Sequence, residues 1–324
     1  MSESFLNCDW GTTRLRLRAV LAGDAEVAAE HRTLDGVATL AQQYTPHERE
    51  ARYRTVLSEA VDALAEAAAE TVADAPILIS GMASSSLGWQ ELPYARLPLG
   101  LDGEGFVWRE LAPLETSAGR HRVVLISGAR NDTDVMRGEE TELLGLASLP
   151  EGSPAAGALV IKPGTHSKHL RVEAGRLSDF RTFMTGELFD VLSRHSILQH
   201  SVAQNAAGNN DLEALRIGVR LGREMPLAAG LFRVRTRQVL DDTDPAANRA
   251  FLSGLLIGNE LAYLAREPAM VLVLCATEPA GAAYQTALEE LGLAQRLVVI
   301  PPSDVELLSA RGQAVLLRRV LSRR

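Results

Sequence analysis

The chain has 324 residues, a length that suits one two-lobed enzyme or two modest domains and allows a large core. Hydrophobic residues make up 46% of it, which excludes a disordered protein. Its net charge of −8 argues against nucleic acid as a partner. The sequence has neither an apolar run near the roughly 20 residues that span a bilayer nor a basic amino-terminal segment followed by an apolar one, so we expect a cytoplasmic protein with no membrane partner.

The predicted elements alternate between strands and helices, which indicates an α/β fold. In chain order, strands are predicted over residues 5–8, 15–20, 76–81, 123–127, 157–161, 271–275 and 297–300. A long helix is predicted to begin at Thr45, where a capping box with Glu48 precedes a proline-led helical pattern. Further helices are predicted over 138–146, which starts acidic, and from the Asp244-Pro245 pair onward.

The sequence contains a short internal repeat. Residues 11–18 read GTTRLRLR and residues 164–171 read GTHSKHLR, and each segment follows an apolar strand. Gly-Thr hairpins are common in proteins, but the matched position of the two segments and their shared Leu-Arg favour a duplicated strand–loop–strand unit. Such a duplication implies two similar lobes that face each other across a cleft. We therefore expect a first lobe over residues 1–155, with 305–324 packing back on it, and a second lobe over 156–304.

Neither a P-loop nor a Gly-x-Gly-x-x-Gly motif is present in the sequence, so any phosphate has to be bound by another kind of loop. A tight hairpin with glycine and threonine at its tip offers backbone N–H groups and hydroxyls to an anion. The candidate phosphate-binding residues are Gly11, Thr12, Thr13, Gly164 and Thr165. Asp9, just before the first hairpin, is the candidate ligand for Mg²⁺, which takes one or two carboxylates and keeps several waters.

Lysine is rare, because arginine supplies all but two of the 33 basic residues. The two lysines, Lys162 and Lys168, bracket the second Gly-Thr loop. A site that needs a compact ammonium group rather than a planar guanidinium would retain lysine there.

Residues 9–13 and 163–166 resemble the two phosphate motifs of the superfamily that contains sugar kinases, heat-shock ATPases and actin. Five longer stretches resemble the 2-dehydro-3-deoxygalactonokinase family; they are residues 81–89, 135–143, 163–168, 179–188 and 251–258. The resemblance implies two actin-like (ribonuclease H-like) lobes around a nucleotide cleft. It also implies ATP-dependent, Mg²⁺-assisted phosphorylation of 2-dehydro-3-deoxy-D-galactonate at its 6-hydroxyl, in galactonate catabolism.

The resemblance also implies a catalytic base at the start of a helix before the second phosphate hairpin. Glu139 and Glu140 are the candidates, and spacing to Gly145 favours Glu139. Asp134 and Asp132, just upstream, are the next candidates. Both glutamates are equally typical of an ordinary helix first turn. Lys168, or Lys162, would neutralise the transferred phosphoryl group.

For the sugar acid, the resemblance implies contacts from Ser84, Ser85 and Trp89, although Trp89 is equally compatible with the core. Arg137 and Arg181 would clamp the carboxylate, or serve instead as structural ion-pair partners.

Three points stay open. His166 lies in the second loop, where it would bind phosphate or hydrogen-bond the backbone. Gly254 and Gly258, one turn apart, are expected to allow close helix packing.

The alternative functions are another actin-like sugar or amino-sugar kinase, or a non-kinase ATPase of the actin and heat-shock type. The expected partner is a small sugar acid, and a homo-oligomer is compatible with the sequence.

Overall fold

The structure, a computed structural model, describes residues 4–21, 23, 25–150, 153–204, 211–267 and 270–322. Residues 1–3, part of the amino-terminal stretch considered above, lie outside the described residues. The chain divides into two units. Unit 1 comprises Met1–Ala155, Glu173–Asp179 and Glu306–Arg324, and unit 2 comprises Ala156–Val172 and Phe180–Val305.

The elements alternate as expected for an α/β protein. The strands are β1 (Ser4–Trp10), β2 (Leu15–Leu21), β3 (Glu26–Thr33), β4 (Ile77–Gly81), β5 (Ala95–Arg96), β6 (Leu99–Gly100), β7 (Trp108–Thr116), β8 (Gly119–Ile126), β9 (Ala129–Arg130), β10 (Val135–Met136), β11 (Ala158–Lys162), β12 (Ser167–Glu173), β13 (Arg176–Phe183), β14 (Val271–Leu274) and β15 (Leu297–Val299). The helices are α1 (Val37–Gln43), α2 (Pro46–Val72), α3 (Glu139–Ala147), α4 (Thr185–His195), α5 (Leu212–Glu224), α6 (Leu227–Asp241), α7 (Pro245–Leu261), α8 (Ala280–Glu290), α9 (Pro302–Val305) and α10 (Leu308–Ser322). Short 3-10 segments are Met82–Ser84, Pro154–Ala156, Ile197–His200, Ala262–Arg266 and Ala294–Arg296.

Unit 1 is built on a sheet of order β3-β2-β1-β4-β8-β7, in which β1-β4 and β4-β8 are parallel and β1-β2 and β2-β3 are antiparallel. Helix α2 covers this sheet with one apolar face. The residues of that face are all buried; they are Tyr53, Val56, Leu57, Ala60, Val61 and Leu64. The predicted helix start is confirmed, since the Glu48 carboxylate accepts the Thr45 N–H at 3.0 Å.

Unit 2 repeats the strand order of unit 1. Its sheet runs β15-β14-β11-β12-β13, with β11-β14 and β14-β15 parallel and β11-β12 antiparallel. The first residues of β13 belong to unit 1, where Arg176 and Leu177 pair with β6. In both sheets the Gly-Thr loop therefore joins the central strand to an antiparallel neighbour.

Helices α5 and α7 of unit 2 cross at unusually short distance, as the spacing of Gly254 and Gly258 predicts. A Cβ on Gly254 would lie 2.1 Å from the carbonyl oxygen of Leu215, and one on Gly258 would lie 2.3 Å from that of Val219. No larger side chain fits at either crossing point without moving the helices.

Candidate active site

The first Gly-Thr loop, between β1 and β2, is held by the start of α1. The Val37 N–H donates to the carbonyl oxygen of Gly11 at 3.0 Å, and the next amide donates to the next loop carbonyl at 2.9 Å. A Cβ on Gly36 would lie 2.2 Å from the carbonyl carbon of Thr13. Helix donors thus occupy these loop carbonyls, while the side chains of Thr12 and Thr13 are exposed.

The second Gly-Thr loop, between β11 and β12, is held by the start of α4 in the same way. The Glu187 N–H donates to the carbonyl oxygen of Thr165 at 2.9 Å. A Cβ on Gly186 would lie 2.4 Å from the Gly164 oxygen. The Glu187 carboxylate is hydrogen-bonded to His166 Nε2. His166 therefore has a structural partner, although it is exposed, as Gly164 and Thr165 are.

Two glycines with left-handed backbone bring Asp9 close to the start of α3. Gly81 has φ 91°, and a Cβ there would lie 2.8 Å from the Trp10 oxygen and 3.6 Å from Asp9 Oδ1. Gly138 has φ 110°, and a Cβ there would lie 3.8 Å from the Cα of Gly81. Since Glu139 follows Gly138 directly, the predicted magnesium ligand and the predicted base share one region of unit 1.

The two candidate bases differ in environment. Glu140 is 1% exposed, and its carboxylate accepts the Gly138 N–H at 2.9 Å and 3.0 Å and the Thr141 hydroxyl at 3.1 Å. Burial, and next the neighbouring charge of Glu139, raise the pKa of Glu140 to about 8. Glu139 is half-buried. Glu140 is thus committed to the turn before α3, and the third candidate, Asp134, accepts the Val135 N–H at 2.8 Å in another turn.

Two of the predicted sugar-acid residues of unit 1 contact each other. Arg137 Nη1 donates to the Ser84 hydroxyl at 2.8 Å, and its guanidinium lies 3.9 Å from the ring centroid of Tyr94. Ser84 is fully buried. Ser85 is 7% exposed, and its Oγ has no hydrogen-bond partner among the described residues. A buried hydroxyl in this state is suited to a ligand.

Trp89 lies in the core of unit 1. It is 9% exposed, its ring is stacked on Tyr53 at 5.8 Å, and it meets Trp10 edge-on at 6.3 Å. These contacts agree with the core alternative that the sequence left open, and a contact of Trp89 with substrate stays a prediction.

The two lysines are directly opposite each other across the base of the second hairpin. Lys162 pairs in register with Lys168, and they are 9% and 5% exposed. Lys168 Nζ donates to the Thr182 hydroxyl at 2.7 Å. Because side chains alternate along a strand, both lysines lie on the sheet face opposite Ile161 and His169.

Arg181, the predicted carboxylate contact of unit 2, is largely exposed. Its side chain is 54% exposed, with the guanidinium 4.9 Å from the Tyr263 ring centroid and 3.9 Å from the Glu267 carboxylate. Arg181 therefore already has structural partners within unit 2, as the alternative reading of this residue expected.

A cavity of about 530 Å³ lies within unit 2, beside the second loop. Its walls come from the second loop and from α4, α5, α7 and α8; the lining residues include Gly164, Thr185, Phe189, Arg249, Ser253, Pro279 and Tyr284. Apolar walls with a few polar groups are typical of small-molecule sites. The sequence did not predict this cavity, because its lining residues come from five separate segments with no shared local motif.

A magnesium ion is compatible with the residues of unit 1. The described residues contain no group of three or more His, Cys, Asp or Glu side chains placed to hold a metal ion. Mg²⁺ does not need such a group, because it binds through one or two carboxylates, substrate phosphates and water. Asp9, half-buried beside the first loop, fits that requirement.

In the same described ranges no helix is long and apolar enough to cross a membrane.

The chain is similar to known proteins over most of its length. The family model for 2-keto-3-deoxy-galactonokinase matches residues 9–306. A Rhizobium meliloti protein named as a 2-dehydro-3-deoxygalactonokinase is 38% identical over 95% of this chain and 96% of its own length. The Escherichia coli 2-dehydro-3-deoxygalactonokinase is 32% identical over 90% of this chain and 91% of its own length.

A solved structure gives the same result. The crystal structure of a 2-dehydro-3-deoxygalactonokinase protein from Sinorhizobium meliloti superposes with a TM-score of 0.78 and 33% identity, over 97% of this chain and 99% of that one. The predicted fold class, α/β with two actin-like lobes, is confirmed. The chain belongs to the 2-keto-3-deoxy-galactonokinase family.

Proposed function

We propose that the protein transfers the γ-phosphoryl group of ATP to the 6-hydroxyl of 2-dehydro-3-deoxy-D-galactonate, giving the 6-phosphate and ADP. The family match over residues 9–306 carries this proposal, because it points to one sugar acid, whereas Gly-Thr loops suit any nucleotide. The same proposal places the enzyme in the cytoplasm, where ATP is available and where buried thiols such as Cys8 and Cys275 stay reduced.

The 530 Å³ cavity of unit 2 is the proposed adenosine site. Gly164 lines the cavity and also belongs to the second loop, so a base and ribose bound there would direct phosphates toward that loop. Gly164 and Thr165 at the exposed tip of the second loop are the proposed phosphate contacts of unit 2. In unit 1 the proposed phosphate contacts are Gly11, Thr12 and Thr13, of which the Gly11 N–H already donates to the Arg14 oxygen at 2.9 Å.

Asp9 is the proposed ligand of Mg²⁺, directly or through water. When bound, the ion neutralises charge on the β- and γ-phosphates. Asp9 itself is held by the β1 ladder, where it pairs with Arg16 and with Ser80 of β4.

Glu139 is the proposed base that removes the proton of the 6-hydroxyl. Glu140 is buried and hydrogen-bonded to the Gly138 N–H, so its carboxyl group holds the start of α3. A half-buried carboxylate at a fixed helix start, in the same region of unit 1 as Asp9, is suited to accepting a proton while the new bond to phosphorus forms.

Arg137, Ser84 and Ser85 are the proposed sugar-acid contacts in unit 1. The guanidinium of Arg137 is fixed by Ser84 and Tyr94, which leaves a preorganised donor for a carboxylate. Arg181 and Lys168 of unit 2 remain proposed contacts for the carboxylate and the transferred phosphoryl group.

A coupled ADP-release assay over a panel of aldonic, keto-deoxy and neutral sugars tests the proposal. We expect turnover to be highest with 2-dehydro-3-deoxy-D-galactonate and the product to gain the mass of one phosphate. If plain hexoses are turned over efficiently and keto-deoxy acids are not, the proposed substrate is wrong. ATP hydrolysis without any phosphorylated sugar would favour a non-kinase ATPase.

A further inference from the structure

A buried carboxylate behind the cavity collects donors from several elements of unit 2. Glu260, near the end of α7, is 3% exposed. Its Oε2 accepts the Tyr284 hydroxyl of α8 at 2.7 Å and the Thr185 hydroxyl of α4. The Tyr284 hydroxyl is also 3.0 Å from Ser167 Oγ, in the first position of β12. One carboxylate oxygen thus connects α4, α7, α8 and the strand that leaves the second loop.

The other oxygen of Glu260 faces a buried histidine. Oε1 lies 2.8 Å from Nε2 of His169, which is 1% exposed, and Nδ1 of that ring lies 2.6 Å from the Tyr263 hydroxyl. The His169 ring also packs on Phe183, with centroids 4.6 Å apart. Since a carboxylate only accepts hydrogen bonds, Nε2 donates to Glu260, and all three groups that face the carboxylate are donors.

This cluster is connected to the candidate nucleotide site at two points. Thr185 and Tyr284 line the cavity, while Glu260 and His169 do not. Thr185 is the first residue of α4, the helix whose next two residues contact the backbone of the second loop. Whatever fixes Thr185 therefore also fixes the loop.

We infer that Glu260 is a positioning residue for nucleotide binding, which holds the second loop and two cavity-wall hydroxyls in place without touching the nucleotide itself. The inference rests on the proposed function insofar as the ligand is ATP. A glutamine at this position keeps the volume but offers one acceptor and one donor group, so it cannot accept from all three partners as they stand. The three donors would have to reorient, and the loop would lose its fixed support.

The test is Glu260→Gln, with Glu290→Gln as the matched control. Glu290 is a half-buried glutamate of α8 that pairs with Arg220 at 2.8 Å and does not line the cavity. In Glu260→Gln we expect the KM for ATP and the Kd for ADP to rise about tenfold, in keeping with the loss of a buried charged hydrogen bond. The KM for the sugar acid and kcat at saturating ATP should stay within about twofold of their starting values. The control should behave as the unmodified protein.

Amide hydrogen exchange of the ligand-free protein provides a second, independent measurement. Peptides covering residues 163–169 and 184–188 should exchange several-fold faster in Glu260→Gln, because the amide of Glu187 donates to the second loop. Peptides over 139–147 in unit 1 should be unchanged. Unchanged exchange together with an unchanged KM for ATP would overturn the inference. So would faster exchange throughout unit 2 with both KM values raised, since that would make Glu260 a general stability residue.

The exchange reading separates this inference from the proposed function. If the unmodified protein binds no ADP while Glu260→Gln still loosens the second loop, the proposed function fails and the role of Glu260 in holding the second loop stands. If Glu260→Gln does not fold, Tyr284→Phe removes the hydroxyl shared by Glu260 and Ser167, and it should accelerate exchange in the same two peptides. Normal exchange in Tyr284→Phe would then refute the inference.

Discussion

Replacing Glu140 with glutamine should stabilise the protein, and the gain should grow with pH. Glu140 is buried at the start of α3, where burial and Glu139 raise its pKa from 4.5 to about 8. Between these two values the folded state keeps a proton that the unfolded state releases. The unfolded state then binds fewer protons, so the free energy of unfolding falls as pH rises through this window and levels off once Glu140 ionises in the folded state.

The size of the effect follows from the pKa shift. A change from 4.5 to about 8 corresponds, at about 1.4 kcal/mol per pKa unit, to about 5 kcal/mol of stability lost between pH 4.5 and pH 9. Glutamine keeps the length of the side chain and an oxygen that accepts the Gly138 N–H, but it never ionises. Glu140→Gln and the unmodified protein should therefore be similarly stable at pH 5, and the variant should be several kcal/mol more stable at pH 9.

Urea unfolding of both proteins at pH 5, 7 and 9 measures this difference. Glu142→Gln is the matched control, because it removes a negative charge from a half-buried position in the first turn of the same helix. A gain in Glu140→Gln that does not change with pH, or a loss at pH 9, would show that Glu140 is already ionised in the folded protein at neutral pH. The assignment of Glu140 as a buried neutral acid would then be wrong.

Three further outcomes are expected. Glu139→Gln should lower kcat by about 10²- to 10⁴-fold with little change in sugar-acid KM, while Glu140→Gln changes kcat far less; the reverse result in steady-state kinetics would exchange their roles. Asp9→Asn should raise the Mg²⁺ concentration needed for half-maximal turnover, and normal turnover at limiting Mg²⁺ would remove Asp9 from the site. Gly312→Ala, whose Cβ would lie 1.8 Å from the Thr141 oxygen, should cost about 1–3 kcal/mol by overpacking α10 on α3; an unchanged urea midpoint would contradict that packing.

Elements with strong local signals were predictable from the sequence. The start of α2 depends on the Thr45 and Glu48 capping pair, and that of α7 depends on Asp244, whose carboxylate accepts two helix N–H groups at 2.9 Å and 3.1 Å. Both signals are complete within four residues, so no knowledge of the rest of the fold is needed to detect them.

Elements without such signals were missed. Strand β7 is mostly exposed at the sheet edge and contains Pro113, so it lacks the apolar alternation that marks a strand. Helix α4 begins without a side-chain cap. Its first residue, Thr185, acquires its role through a buried glutamate 75 positions later in the chain.

Much of the candidate site belongs to the same category. Gly36, Gly81, Gly138 and Gly186 matter because of the backbone that each one contacts, and such contacts exist only once the sheets and helices are assembled. Spacing to Gly145 already favours Glu139 over Glu140 in the sequence, but the burial of Glu140 and its hydrogen bonds to the Gly138 N–H become visible only in the folded chain. Whether the site residues act as proposed stays a prediction.

The pair of lysines at the second hairpin makes the chain an unusual target for amine chemistry. Acylating reagents and amine-coupling crosslinkers have two lysine side chains to attack in 324 residues, Lys162 and Lys168, both buried at the base of one hairpin. Adducts at lysine therefore report on that hairpin alone, with no background from surface lysines. The rate of acylation with and without nucleotide therefore reports on a single region of the protein.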